Sequence, residues 1–142
     1  MSDQSNSAYG VDGVEKNYSI GEMITNIGDP ADGFYILLAG KIGVFKKDFA
    51  VAEINTPGMI FGELGCILNI PRTATLRALE PASVLCVKIT IDELTKNHAD
   101  FAKRLLVDLA HRLTRTTELW SNVASDNGLQ KKLARTARVA FI

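Results

Sequence analysis

The chain has little cysteine, little histidine, no surplus charge and no long apolar run, and each shortage closes a class of function. Its two cysteines, Cys66 and Cys86, form no CxxC pair and sit among apolar neighbours. Buried, reduced thiols are therefore expected. His98 and His111 stand in no arrangement with metal-ligand spacing, so no metal and no cofactor are expected. Lysine plus arginine equals aspartate plus glutamate at 16 each, and a net charge of zero exerts no general pull on nucleic acid or anionic membrane. No apolar run approaches the roughly 20 residues that cross a bilayer. The stretch from Met1 to Gly10 is rich in Ser, Asn and Gly and lacks the apolar core of a signal peptide. These features lead to an expectation of a cytoplasmic protein. There is no internal repeat and no low-complexity tract.

What is present is a chain of 142 residues, 46% hydrophobic and 23% charged, enough for one domain with its own core. Residues 1–17 read as a flexible leader. From Tyr18 to Lys88 short runs with strand character alternate with turn residues: Met23-Ile24, Phe34 to Leu38, Ile42 to Phe45, Val51 to Ile54, Thr75 to Ala78 and Val84 to Ile89. Gly28-Asp29-Pro30-Ala31-Asp32-Gly33 is a dense turn signal. Short strands at such spacing predict a barrel or sandwich.

After Ile89 the period changes. Thr90-Ile91-Asp92-Glu93 has the form of a capping box opening a short helix. A long helix starts at or near Asn97. Along it Ala99, Ala102, Leu106, Leu109, Leu113, Thr116, Trp120 and Val123 recur at alternating intervals of three and four, a heptad seam. Phe101, Leu105 and Leu119 form a second stripe beside it. Two stripes imply two packing partners: the β-domain, and a second copy of the helix across residues 99–123. A broad apolar face lying on the chain's own domain is the other reading. Ser125-Asp126-Asn127-Gly128 reads as a stop or hinge. Residues 125–142 then comprise that hinge and the start of a helical segment, whose Lys131, Lys132, Arg135 and Arg138 read as a solvated face, not a nucleic-acid contact.

The stretch that carries chemistry runs from Phe61 to Thr75. Gly62 breaks the strand pattern, Glu63 to Leu68 can form one or two helical turns, and Pro71 is expected to end them. Exposed amides beside a glycine attract a phosphate. Arg72 adds a guanidinium able to grip two phosphate oxygens, and Glu63 offers an acceptor for a ribose hydroxyl. Together they describe a site for a sugar phosphate. No Ser/His/Asp set, paired acids in a cleft or metal ligands point to an enzyme. A redox or haem sensor built on Cys66, Cys86 or His111 would have no use for the Glu63/Arg72 pair.

Phe61-Gly62-Glu63-Leu64 followed by Pro71-Arg72-Thr73-Ala74-Thr75 resembles the phosphate-binding cassette of the cyclic-nucleotide-binding domain family, which includes the catabolite activator protein and cyclic-nucleotide-dependent kinases and channels. Gly28 to Tyr35 and Gly40-Lys41-Ile42 resemble the family's glycine-marked turns. The resemblance implies an α+β fold, a β-roll followed by a long C-terminal dimerisation helix, spanning residues 18–124. It implies that Glu63 holds the ribose 2′-hydroxyl and Arg72 the cyclic phosphate. Backbone groups of Gly62, Leu64 and Ala74 and the Thr73 hydroxyl complete the cradle. Leu109 to Glu118 is similar to the dimerisation helix of the catabolite activator branch. There Thr116 and Thr117 would meet the purine, one of them from the partner subunit, and Arg112 would pair with Glu63. Thr116 also lies on the seam, where a polar residue can instead set register. Thr116-Thr117 favours cAMP as ligand; Thr73 keeps cGMP open, and a dimer scaffold with a degenerate pocket is a further alternative. Only fourteen residues follow Gly128, too few for a helix-turn-helix. The expectation is a standalone sensor or a fragment whose output domain lies beyond it, and the end inside an apparently helical stretch favours the fragment.

Overall fold

The structure, a computed structural model, describes residues 9–124. These divide into two compact units, one ending at Ala102 and the other beginning at Lys103. The expected hinge at Ser125 to Gly128 and the basic segment after it lie outside the described residues.

The first unit holds eight strands: β1 (Val14–Tyr18), β2 (Met23–Thr25), β3 (Gly33–Ala39), β4 (Ile42–Lys46), β5 (Phe49–Ile54), β6 (Ile60–Phe61), β7 (Thr75–Ala78) and β8 (Ala82–Lys88). Helix α1 (Glu63–Leu68) interrupts the strands and α2 (Ile91–Asn97) follows them. The strands form two antiparallel sheets of four, ordered β1-β8-β3-β6 and β2-β7-β4-β5. Their facing sides enclose one apolar cluster that includes Leu37, Ile42, Phe61, Leu76, Ala78 and Val84, contributed by both sheets. This is the β-roll. The long helix α3 (Ala99–Ala124) begins in this unit and runs into the second.

Sequence and structure part at four places. Strand β1 lies partly inside the expected leader, because Val14–Tyr18 pairs antiparallel with β8, Lys16 facing Val84. Its residues Val-Glu-Lys-Asn-Tyr are mostly exposed, so no apolar alternation announces the strand; β8 supplies the hydrogen-bonding edge that makes it one. The two-residue β6 is too short to leave a pattern. Helix α1 ends on Asn69 in the left-handed region (φ 53) with its N–H on Gly65 O, before Pro71 is reached. Asparagine tolerates that conformation and caps the helix. Finally, the second stripe on α3 does not persist: Phe101 and Leu105 are each 3% exposed, whereas Leu119 is 65% exposed. Periodicity names a face and says nothing of where along it cover ends.

The capping box is present. The Glu93 N–H donates to Thr90 Oγ1 at 3.1 Å, and the Thr90 hydroxyl donates to Glu93 Oε1 at 3.3 Å. Beyond α2 the start of α3 is pinned by Phe101, whose ring stacks on Phe34 of β3 at 5.4 Å.

Candidate functional site

The site is assembled where β6 turns into α1. Gly62, the residue before the helix, has φ 72, a conformation glycine adopts without strain. Any side chain there would also displace its neighbours. A Cβ there would stand 2.9 Å from Arg72 Nη1 and 2.9 Å from Tyr35 Cδ2. The register that sets Tyr35 opposite Phe61 in the β3–β6 pair stacks their rings at 5.2 Å. It thereby places the Tyr35 ring beside the turn.

Arg72 arrives from the loop after α1, which is fastened at both ends. Arg72 N–H donates to Asp29 O at 2.8 Å, and Gly28 N–H donates to Arg72 O at 2.8 Å. Further along, Ile27 N–H donates to the Thr75 hydroxyl at 3.0 Å. The Gly28-Asp29 turn thus clamps the cassette backbone, a role that sequence reading gave only as a turn. The Arg72 side chain is 5% exposed. Its Nη1 donates to Gly62 O at 2.6 Å, Nη2 lies 3.4 Å from the Tyr35 hydroxyl, and its guanidinium carbon sits 4.9 Å from the Tyr35 ring centroid. Its Nε is fully buried with no hydrogen-bond partner among the described residues. A buried N–H donor without an acceptor is costly, and an anionic oxygen satisfies it with a charge-assisted bond.

Glu63 opens α1 and is 4% exposed. A buried carboxylate and a buried guanidinium in one cassette are the two features a sugar phosphate calls for. Thr73 and Ala74 are half-buried, and the Leu64 side chain is exposed. Arg72 also borders a cavity of about 230 Å³ lined by Lys16, Tyr18, Asp32, Tyr35, Cys86 and Lys88 among others. Two of these lining residues, Asp32 and Lys88, pair at 3.8 Å with largely exposed side chains. Burial pushes the Cys86 thiol and the Tyr18 phenol up from their ordinary values, so both stay neutral at physiological pH. Sequence reading missed Tyr35 as a site residue. The signal was an aromatic residue next to a glycine-marked turn, which is uninformative until the strand register is known.

The remaining expected residues lie in the second unit, on α3. The Thr116 and Thr117 hydroxyls donate to the carbonyls of Arg112 and Leu113 at 2.9 and 2.8 Å. Arg112 pairs with Asp108 one turn back at 2.6 Å. Leu106, Leu113 and Val123 of the seam are 68%, 53% and 52% exposed. Among the described residues no group of three or more His, Cys, Asp or Glu could hold a metal ion, and no helix is long and apolar enough to cross a membrane.

The family model described as the cyclic nucleotide-binding domain matches residues 15–94. The chain belongs to the cyclic nucleotide-binding domain family. Among curated relatives, it is 36% identical over 98 residues to the cAMP-dependent protein kinase regulatory subunit of Yarrowia lipolytica, covering 69% of this chain and 23% of that one. It is 38% identical over 100 residues to the same subunit of Eremothecium gossypii, covering 66% and 20%. The chain thus spans about a fifth of the length of these relatives. Among solved structures, the Thermus thermophilus catabolite activator protein superposes with a TM-score of 0.67 at 26% identity, covering 83% of this chain and 56% of that one. A cyclic nucleotide-binding domain from Methylobacillus flagellatus gives a TM-score of 0.65 at 22% identity over 80% and 67%. That second likeness establishes the shared β-roll.

Proposed function

We propose that this cyclic nucleotide-binding domain takes cAMP, holding the cyclic phosphate with Arg72 and the ribose 2′-hydroxyl with Glu63. The carrying observation is the buried Nε of Arg72, a donor with no partner among the described residues, beside a glycine-framed turn. The backbone amides of Gly62, Leu64 and Ala74 and the Thr73 hydroxyl complete the phosphate cradle. The kinase regulatory subunits among the relatives are named for cAMP dependence, which favours adenine. The half-buried Thr73 hydroxyl directly after Arg72 keeps cGMP as the second reading.

Phosphate and ribose contacts made by the cassette leave the purine for another element to cover. We assign that cover to Thr116 and Thr117 of α3, with Arg112 reaching Glu63. The exposed Leu106, Leu113 and Val123 support a homodimer through residues 99–123. Binding would then pass along α3 to an output domain or partner in the cytoplasm. The domain itself is a non-catalytic regulator.

Calorimetric titration with cAMP and cGMP tests the ligand. Parent protein should bind cAMP more tightly. Arg72→Ala should weaken binding by about 3 kcal/mol, because the substitution strands the phosphate charge in a dry site. Unchanged affinity in that variant removes the assignment of Arg72. A chain that is monomeric by sedimentation at every concentration, with and without nucleotide, removes the dimer.

A further inference from the structure

We infer that Tyr35 is a positioning residue for nucleotide binding, acting through Arg72; this rests on the reading of Arg72 as the phosphate ligand. Four contacts define the arrangement. The Tyr35 ring stacks on Phe61 at 5.2 Å. The Arg72 guanidinium carbon lies over the Tyr35 ring, 4.9 Å from its centroid. The Tyr35 hydroxyl takes Nη2 at 3.4 Å and Gly62 O takes Nη1 at 2.6 Å. Tyr35 therefore contacts both Phe61 and Arg72, and the guanidinium is held at two of its nitrogens.

The physical logic lies in what the ring does not do. A buried guanidinium has lost its water and needs compensation for its charge. A carboxylate partner would supply it, yet would also cancel the positive charge and occupy the fork that a phosphate requires. An aromatic face attracts the cation electrostatically and uses no N–H. Nε, buried and without a partner among the described residues, remains available to an incoming oxygen. The Tyr35 hydroxyl stays a neutral acceptor: burial pushes its pKa up, against the pull of Arg72. The competing explanation is that Tyr35 only fills the roll interior, since it packs on the apolar cluster.

A double-mutant cycle separates the two, with cAMP as the probe and affinity read by calorimetry on the full chain. Tyr35→Leu should weaken cAMP binding about 30-fold in the parent but no more than about threefold in an Arg72→Ala background, where no cation remains for the ring to hold. Tyr35→Phe, which keeps the ring, should stay within about threefold of the parent. If Tyr35→Leu does not fold, Tyr35→Met, similar in length and apolar, replaces it in the same cycle. Equal losses in both backgrounds would show that Tyr35 contributes packing alone and overturn its role. A parent that binds neither cAMP nor cGMP overturns the reading of the site, and the Tyr35 role with it. Binding by the parent with additive losses removes Tyr35 only.

Discussion

The thiol of Cys66 donates to the carbonyl of Ile89 at 3.2 Å, tying cassette helix α1 to the residue just before the α2 cap, 23 positions on. Ile89 precedes Thr90, which caps α2, so the bond joins the site to the helical part of the first unit. Burial holds the thiol above its ordinary pKa, which keeps it a donor. Cys66→Ala should cost about 1 kcal/mol of stability by urea denaturation, the usual worth of a buried hydrogen bond. It should also speed hydrogen exchange of the α1 amides relative to those of β8. Equal exchange in α1 and β8 would show that the bond does not hold the cassette.

Alkaline pH should destabilise the fold. Cys66 and Cys86 are both raised from an ordinary value of 9.0 and Tyr35 from 10.0, in each case chiefly by burial. An acid whose folded pKa is raised binds more protons folded than unfolded, so its stabilising contribution is intact below the unfolded value and falls as pH rises through it. Unfolding free energy should therefore decline above about pH 9, by up to about 1.4 kcal/mol per pH unit for each such group. Cys86→Ala should flatten that decline. A parent curve that is flat from pH 8 to 10.5 would contradict the burial of these groups.

Gly62→Ala should be far more damaging than its size suggests. The added Cβ meets Arg72 Nη1 and Tyr35 Cδ2, each at 2.9 Å, on a backbone with φ 72. Positive φ costs an alanine about 1 kcal/mol, and the clash displaces the guanidinium as well. Nucleotide affinity should fall at least about tenfold while the β-roll still unfolds cooperatively. Parental affinity in this variant would show that the turn tolerates a side chain.

The proposed cover by α3 has its own signature. Nucleotide should slow exchange both in Gly62 to Leu68 and in Arg112 to Trp120. It can shift the helix only by binding more tightly when helix and cassette are together than when they are apart. Thr116→Ala combined with Thr117→Ala should reduce protection of the helix more than that of the cassette, since the phosphate grip remains. Protection confined to the cassette would remove the helix from the site.

Elements whose cause is local were legible in the residues themselves. Thr75–Ala78 and Glu63–Leu68 lie where their side chains place them. The Thr90/Glu93 cap works because both partners are three residues apart. Glu63 and Arg72 could be singled out because glycine, acid, proline and arginine occur within ten positions. Nothing local could announce β1, whose polar residues become a strand only when β8 offers an edge. Nor could it announce Asp29 as the residue whose carbonyl receives Arg72 N–H. The role of Tyr35 was equally hidden, since it stands 37 positions from Arg72. Local propensity and short-range hydrogen bonds are properties of neighbouring side chains, so the sequence alone determined the elements and the chemistry of the cassette. Strand register and loop closure arise from pairing between distant segments, and only the tertiary structure decided which ring lies under the arginine and which of its donors is left for a ligand.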